Sequence, residues 1–133
     1  MIKKYSINNI GSLKIDISKP CLVFLKGDLG AGKTTITKHI INNILNIPNH
    51  ITSPTYTYYN KYDDVYHFDL YRLKSYDEFF AIGGEDILDN NNGVIIIEWP
   101  EILENYYKPD ITISLKKTQK EDEREIEIIM NNE

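Results

Sequence analysis

The sequence predicts an α/β fold in which a mostly parallel central sheet carries antiparallel hairpin and edge strands and is flanked by helices. An apolar run over residues 21–26 precedes a glycine-rich segment, and apolar residues at helical spacing follow that segment. Residues 94–97 are consecutive aliphatic, β-branched residues, which is typical of a strand buried on both faces. Apolar residues alternate with polar ones over 111–115 and 125–128, and this period predicts two more strands.

The glycine-rich segment has the pattern of a phosphate-binding loop. Residues 27–34 read G-x-x-x-x-G-K-T, between the predicted strand and the predicted helix. Glycines let backbone N–H groups turn inward around phosphate oxygens, and a helix start favours the same anion. Lys33 can reach the β- and γ-phosphates, and the Thr34 hydroxyl can bind Mg²⁺. A small P-loop NTPase fold is therefore expected, and a chance glycine turn is the alternative. The predicted nucleotide contacts in this segment are Asp28, Gly30, Ala31, Gly32, Lys33, Thr34 and Thr35.

Length and composition favour a globular domain that acts inside the cell. Residues 1–133 are expected to form a single P-loop ATPase domain. No apolar run approaches the roughly 20 residues that span a membrane, so no membrane contact is expected. Cys21 is the only cysteine and no secretory signal is visible, so we expect a cytoplasmic protein without an internal disulfide. A net charge of −5 argues against tight, direct binding to RNA.

The remaining segments predict the elements around this unit. Residues 13–17 alternate between apolar and polar and predict a half-exposed strand that ends at Pro20. Residues 55–69 predict a hairpin, because β-branched, aromatic and aliphatic residues flank a polar turn at 60–64. Ser75 and Glu78 have the spacing of a capping box and predict a short helix.

Two acidic residues follow predicted strands and are candidates for a metal site. Asp69 follows the strand of residues 65–68, and Glu98 follows the strand of residues 94–97. The carboxyl ends of neighbouring parallel strands form the edge where ligands bind, and a buried carboxylate is costly unless it serves a cation or a partner. One acid could bind Mg²⁺, directly or through water, and the other could orient the attacking water. The alternatives are an exposed strand end for Glu98, and a helix cap or a pair with Arg72 for Asp69.

Several residues leave two interpretations open. Thr55 lies in a Ser-Pro-Thr segment, where a switch threonine would sense the γ-phosphate or where a threonine would simply enter a strand. His39 and His67 lack the spacing of metal ligands, so structural or surface roles are expected. The tyrosines of residues 56–76 could stack on a base, although packing within the hairpin is the simpler explanation.

Position along the chain indicates which nucleotide is bound and which roles the two arginines have. Residues 60–63 read N-K-x-D, a guanine-reading motif in GTPases, but they fall in the predicted hairpin turn rather than after a late strand. No D-x-x-G motif follows the loop either, so ATP is the expected nucleotide. Arg124 lies in a charged turn with no visible reason to reach the phosphates, and Arg72 is close enough in sequence to pair with Asp69. We therefore expect no internal catalytic arginine and slow hydrolysis by the isolated chain.

Four blocks together resemble the bacterial TsaE family of P-loop ATPases. The blocks are GDLGAGKTT at 27–35, SPTY at 53–56, HFDLYRL at 67–73 and IEWPE at 97–101. Their order and spacing fit the family, and the similarity spans roughly residues 22–115. The resemblance implies a small α/β fold that binds ATP and Mg²⁺ as the energy-coupling component of tRNA threonylcarbamoyladenosine biosynthesis.

The resemblance also implies residue roles and partners. It implies that Lys33 binds phosphate, that Thr34 binds magnesium and that Thr55 is a switch threonine. It also implies that Asp69 and Glu98 are metal-site acids and that Trp99 lies beside the nucleotide. TsaD and TsaB are the implied partners, and TsaD transfers the threonylcarbamoyl group, so contact with tRNA is indirect. The C-terminal third keeps little of the family pattern, and partner contacts there are not assigned.

Two other classes of function compete with an ATPase. A P-loop small-molecule kinase would clamp the transferred phosphoryl group with several cations, often from a lid, and this chain has two arginines and no obvious lid insertion. A nucleotide-binding scaffold without turnover is the other alternative. Phosphate release from ATP in the absence of an acceptor separates a hydrolase from a kinase.

Overall fold

The structure is a computed structural model that describes residues 2–28, 30–54 and 56–131. These residues form an α/β fold. In these residues seven strands form one sheet in the order β1-β7-β6-β2-β5-β4-β3. The strands are β1 Ile2–Ser6, β2 Cys21–Lys26, β3 Tyr59–Tyr62, β4 Val65–Asp69, β5 Val94–Glu98, β6 Ile111–Lys117 and β7 Glu123–Met130. The α-helices are α1 Lys33–His39, α2 Tyr76–Ala81 and α3 Gly84–Asp89.

The sheet is parallel at its centre and antiparallel at its flanks. Strand β2 pairs in parallel with β5 and β6, and β4 pairs in parallel with β5. The flanking pairs β1–β7, β6–β7 and β3–β4 are antiparallel. The pairing of Leu25 and Asp69 with Glu98 brings the carboxyl ends of β2, β4 and β5 to one level. This edge is where open parallel sheets bind ligands.

Apolar residues cover both faces of the central strands, as the continuous run in β5 predicts. All five residues of β5 are buried. Val94 and Ile96 face one core with Ile36 and Ile40 of the first helical segment. Ile95 and Ile97 face a second core that includes aromatic residues from β4 and α2. Alternate side chains of a strand point to opposite faces, so one short run of aliphatic residues supports both layers.

The helices begin where the sequence predicts. Helix α1 starts at Lys33 after Gly32, and its chain continues as a wider π-helical turn over Ile40–Ile44. The Ser75 hydroxyl accepts a hydrogen bond from the Glu78 amide at 3.3 Å, which confirms the predicted N-cap of α2. The Glu78 carboxylate accepts from the Lys74 amide at 2.9 Å, one residue before the position that a capping box would use. A 3₁₀ segment, Pro100–Leu103, follows β5 immediately. In the described part of the chain, no helix has the length and apolar character needed to cross a membrane.

Two predicted strands differ from the structure. Residues 13–17 form no strand, although Leu13 and Ile15 are buried as their alternation predicts. The first strand is instead β1, whose polar side chains gave no strand signal and which is defined by its pairing with β7. The predicted hairpin is present, but its first strand begins at Tyr59 instead of residue 55. Tyr58 has a left-handed backbone with φ of 67°, which interrupts an extended chain there.

Candidate functional site

The glycine loop, residues 27–34, connects β2 to α1 and has the backbone that its glycines predict. Gly30 and Gly32 have φ values of 77° and 101°, in the left-handed region that costs other residues energy. A Cβ on Gly32 would meet nothing within 4 Å, so its glycine is required by conformation rather than by space. At Gly30 a Cβ would lie 3.2 Å from Lys117 Nζ. Left-handed turns of this kind aim successive amides inward and form an anion-binding concavity.

Lys33 is held at the loop by neutral partners. Its side chain is only 6% exposed, and its ammonium donates to the carbonyl oxygens of Gly27 and Asp28, the latter at 3.0 Å. Its Nζ also lies 4.0 Å from the centre of the Trp99 ring. Burial lowers the pKa of Lys33, and the negative charge of Glu98 opposes this shift. The ammonium has therefore lost water without gaining a bonded carboxylate, and an anion at the loop would compensate that loss.

Glu98, at the end of β5, is the hub of a buried hydrogen-bond network. It is 3% exposed, and its Oε2 accepts from Nε2 of fully buried His67 at 2.5 Å. The Thr34 hydroxyl donates to the carboxylate at 3.4 Å, and Thr37 of the same helix does so at the same distance. The Glu98 carboxylate is thus fixed beside the threonine of the glycine loop.

Asp69 lies beside Glu98 at the end of β4. Its Oδ1 accepts from the Tyr71 amide at 3.0 Å, and its Oδ2 accepts from the Ser53 hydroxyl at 3.4 Å. Burial raises the pKa of Asp69, and the nearby charge of Glu98 adds to the rise while the Tyr71 amide opposes it. Two carboxylates this close together at the end of neighbouring strands favour a cation between them.

Trp99 turns the chain away from the sheet directly after Glu98. Its φ of 58° and ψ of 59° place it in the left-handed region, and the 3₁₀ segment begins at the next residue. Its ring contacts Lys33 on the side of the loop and packs against Tyr71 with the centroids 4.8 Å apart. A left-handed conformation is costly for a bulky residue, and strain of this kind concentrates at functional sites.

These side chains line one cleft of about 320 Å³. The cleft is lined by Gly30, Gly32, Lys33, Thr34, Thr35, Ser53, Asp69, Glu98 and Trp99. Asp28 and Ala31 do not line the cleft. They bond to each other within the loop, where the Ala31 amide donates to the Asp28 carbonyl at 3.0 Å, and Ala31 is buried. Thr55 lies outside the described residues, although Ser53, two residues before it, reaches the cleft.

The donor set suits Mg²⁺ better than a metal held by protein alone. Among the residues described, no group of three or more His, Cys, Asp or Glu side chains could form a metal centre. Thr34, Asp69 and Glu98 offer a hydroxyl and two carboxylates at the cleft. Mg²⁺ is usually bound by one or two carboxylates, water and substrate phosphates, and such a sparse set is what this cleft supplies.

A larger cleft of about 530 Å³ lies elsewhere in the described structure, between β2, β6 and the segment after the 3₁₀ turn. Its lining includes Lys26 and Glu104, which pair with each other at 2.6 Å. No residue of the glycine loop lines it. Size alone does not define a site, and the convergence of a loop, a lysine and two acids makes the smaller cleft the candidate.

Sequence reasoning missed two contacts of the site. His67 has the expected structural role, since it is fully buried, but its contact is with the site acid Glu98, which the sequence analysis did not predict. Its place two residues before Asp69 on a strand puts both side chains on one face, and that spacing was the available signal. Arg124 reaches the glycine loop after all: it donates to the carbonyls of Ala31 at 2.9 Å and of Gly30 at 3.3 Å. No local signal predicts a contact across 93 residues.

The expectations for His39 and for Tyr59 hold, whereas the alternative pair of Arg72 with Asp69 is not found among the described residues. His39 is buried and its Nε2 lies 2.6 Å from the carbonyl of Leu13, which is a structural role. Tyr59 packs on Phe68 with the centroids 5.0 Å apart, as expected for hairpin packing. The described ion pairs do not include Arg72 with Asp69, and the Arg72 guanidinium lies 4.9 Å from the Tyr56 ring instead.

Comparisons with known proteins agree on one family. The model of the family described as "Threonylcarbamoyl adenosine biosynthesis protein TsaE" matches residues 4–126. A Rickettsia felis protein named tRNA threonylcarbamoyladenosine biosynthesis protein TsaE is 38% identical over 84% of this chain and 66% of its own length. Proteins of the same name from Haemophilus influenzae and Bacillus subtilis are 38% and 36% identical, each over 88% of this chain and 75% of their length. The chain thus spans about two thirds to three quarters of these relatives.

A solved structure is similar to this chain in fold and in sequence. The crystal structure of Bacillus subtilis YdiB superimposes with a TM-score of 0.62 and 30% identity, over 99% of this chain and 89% of that chain. The match therefore covers the glycine loop, both strand-end acids and the C-terminal strands.

Proposed function

The chain belongs to the TsaE family, and from that premise we propose that it binds and hydrolyses ATP as a subunit of the machinery for tRNA threonylcarbamoyladenosine biosynthesis. The proposal treats residues 1–133 as one ATPase domain with a small P-loop NTPase fold. It also treats the protein as cytoplasmic, where the tRNA pathway in the family name would require it.

The observation that carries the proposal is the meeting of Lys33, Asp69 and Glu98 in one cleft at the glycine loop. A buried ammonium without a bonded carboxylate suits a phosphate, and two strand-end carboxylates suit the cation that accompanies it. ATP is preferred to GTP because the N-K-x-D segment is part of the β3–β4 hairpin: its first three residues lie in β3 and Asp63 lies in the two-residue turn that follows. The Asn60 amide is also engaged within the fold, where it donates to the Thr52 carbonyl.

Each residue has a proposed task. Amides of the glycine loop, from Asp28 to Thr35, and the Lys33 ammonium bind the phosphates, and Trp99 lies beside the nucleotide. Thr34, Asp69 and Glu98 hold Mg²⁺, directly or through water. Bound Mg²⁺ supplies charge neutralisation for the leaving and transferred phosphate oxygens. His67 keeps the Glu98 carboxylate in one orientation by its hydrogen bond.

Hydrolysis needs a water aligned with the γ-phosphate. An acid that remains ionised at the cleft can accept a hydrogen bond from that water and orient it, and Glu98 or Asp69 is assigned this task. Thr55 is assigned the role of sensing the γ-phosphate, as the family resemblance implies. Water is the only phosphoryl acceptor in this scheme.

The proposed turnover is slow without partners. An arginine that neutralises transition-state charge accelerates phosphoryl transfer by several orders of magnitude. The Arg124 guanidinium is engaged with backbone carbonyls, and Arg72 lies over the ring of Tyr56. We propose that TsaB and TsaD complete the site or order the segment around Thr55, and that contact with tRNA is made through them.

The experiment is phosphate release from Mg²⁺-ATP without an acceptor. Wild type should release phosphate and stop when Mg²⁺ is chelated, and Glu98→Gln should lower the rate by roughly a hundredfold while ADP affinity stays within a few-fold. Glu121→Gln is the control, since Glu121 is exposed and its substitution removes one negative charge, as Glu98→Gln does. Equimolar TsaB and TsaD should raise the wild-type rate.

Three results would contradict the proposal. Unchanged hydrolysis in Glu98→Gln would remove this acid from the metal site. Phosphate transfer only when a small-molecule acceptor is added would identify a kinase. Nucleotide binding without turnover, even with the partner proteins present, would identify a scaffold.

A further inference from the structure

The C-terminal hairpin β6–β7 packs directly behind the glycine loop. Strand β6 is the parallel neighbour of β2, the strand that leads into the loop. A Cβ on Gly27 would lie 3.0 Å from the Leu115 carbonyl oxygen, so β6 and the start of the loop are in close contact. Lys117 and Arg124 face each other in the β6–β7 register. Two cations of the hairpin therefore stand at the back of the loop.

Arg124 binds the outward-facing side of that loop. Its Nε donates to the Ala31 carbonyl at 2.9 Å, and its Nη2 donates to the Gly30 carbonyl at 3.3 Å. Its Nη1 donates to the carbonyls of Glu121 and Glu123, at 2.8 and 2.9 Å. The hairpin backbone thus fixes the guanidinium, and the fixed guanidinium in turn holds two consecutive peptides of the loop.

The orientation of those peptides matters for phosphate binding. The Ala31 carbonyl belongs to the peptide that carries the Gly32 N–H, so holding this carbonyl on the outer side directs the Gly32 N–H to the opposite side, as an anion nest requires. The Gly30 peptide carries the Ala31 N–H, which donates to the Asp28 carbonyl at 3.0 Å and closes the turn. The left-handed φ of Gly30 makes such a turn possible but does not select it, because glycine populates other conformations as readily. The guanidinium of Arg124 selects it, because its N–H groups can donate only when these carbonyls point outward.

We propose that Arg124 is a positioning residue that preorganises the glycine loop for phosphate, and that the C-terminal hairpin thereby sets nucleotide affinity. The inference rests on the proposed ATP-binding function. It predicts an effect on binding rather than on the chemical step, because Arg124 does not line the cleft and its described donors are directed to carbonyls. Lysine should not replace it, since a point charge cannot hold two carbonyls as a planar fork does.

The test compares Arg124→Lys and Arg124→Gln with Lys116→Gln. Lys116 is exposed on the same hairpin, and its substitution removes one positive charge, as Arg124→Gln does. The dissociation constants of ADP and ATP are measured by calorimetry, with kcat for ATP at saturation and amide exchange of the loop in nucleotide-free protein.

We expect both Arg124 variants to bind ADP and ATP at least about fivefold more weakly, the scale of losing charge-assisted hydrogen bonds from a preorganised site. Their kcat at saturation should stay within about threefold of wild type, and loop amides should exchange faster. Lys116→Gln should match wild type in every measurement. If Arg124→Gln does not fold, Arg124→Lys decides alone, because it keeps the charge and the aliphatic stem.

The opposing outcomes are distinct. A loss of affinity below about fivefold, even with a lower melting temperature, means that Arg124 only anchors the hairpin, and it overturns the inference. A fall in kcat with unchanged affinity also overturns it, because Arg124 would then act on the transition state. If wild type itself binds neither ADP nor ATP, the proposed function has failed, and that result is separate from either of these.

Discussion

Replacing Lys33 by methionine should separate nucleotide binding from folding. The variant keeps a long apolar side chain against Trp99 and removes the ammonium that donates to Gly27 and Asp28. A hydrogen bond to a charged group contributes about 1.5–3 kcal/mol, or roughly 10- to 150-fold in affinity. Burial has already removed most of the hydration of this ammonium. A bound phosphate would therefore not have to displace water from it, and would compensate the hydration that was lost on folding. We therefore place the effect in the upper part of that range, roughly 30- to 150-fold for ATP and for ADP.

Lys33→Met should lower nucleotide affinity without lowering the stability of the fold. Because burial lowers the pKa of Lys33, the folded state binds this proton less readily than the unfolded chain does. Stability of wild type should thus rise as the pH rises through the interval between the lowered pKa and the ordinary one. At neutral pH the charged lysine opposes folding, and the melting temperature of Lys33→Met should equal or exceed that of wild type. The advantage should shrink as the pH is raised.

The assay is isothermal calorimetry with ATP and ADP in Mg²⁺ buffer, with thermal melts from pH 7 upward. Lys38→Met is the matched control, because Lys38 is exposed on the same helix and loses the same charge. Wild-type affinity in a folded Lys33→Met protein would refute the assignment of the glycine loop as the phosphate site. A large fall in melting temperature would refute the argument from burial.

Three further outcomes follow from the same residues. Since burial raises the pKa of Asp69, its negative charge opposes folding above the ordinary aspartate pKa. Asp69→Asn should therefore raise the Mg²⁺-free melting temperature at pH 7, by an amount that shrinks as the pH falls through the raised pKa and is gone below the ordinary pKa of about 4; an equal gain at pH 7 and below about 4 would contradict this. Trp99 is the single tryptophan, and its fluorescence emission, excited at 295 nm, should change when ADP binds. The reason is that a bound phosphate should redirect the Lys33 ammonium, which lies 4.0 Å from the centre of the Trp99 ring. Constant emission would place the nucleotide elsewhere. Burial raises the pKa of Cys21 to about 11, so a thiol reagent at pH 8 should label the unfolded chain and leave the native one almost unlabelled, as counted by mass spectrometry.

The local elements of the site could be predicted from the sequence. The glycine spacing predicts the loop and the start of α1 at Lys33, because φ values above zero at Gly30 and Gly32 are a property of individual residues. The aliphatic run before Glu98 predicts a strand buried on both faces, and the Ser75 cap depends on a hydrogen bond within one turn. Each of these signals acts over a few residues, so the sequence contains it completely.

The tertiary structure decided the contacts that join these elements. The pairing of β4 with β5 puts His67 beside Glu98 across 31 residues, and the order of the sheet brings Arg124 to Ala31 across 93. The same order makes β1, rather than the alternating residues 13–17, the first strand. Pairing and register depend on which strands become neighbours and on the faces they bury, and these are properties of the assembled sheet. The sequence by itself therefore determined the parts of the candidate site, and only the assembled sheet determined what orients Glu98 and what supports the glycine loop.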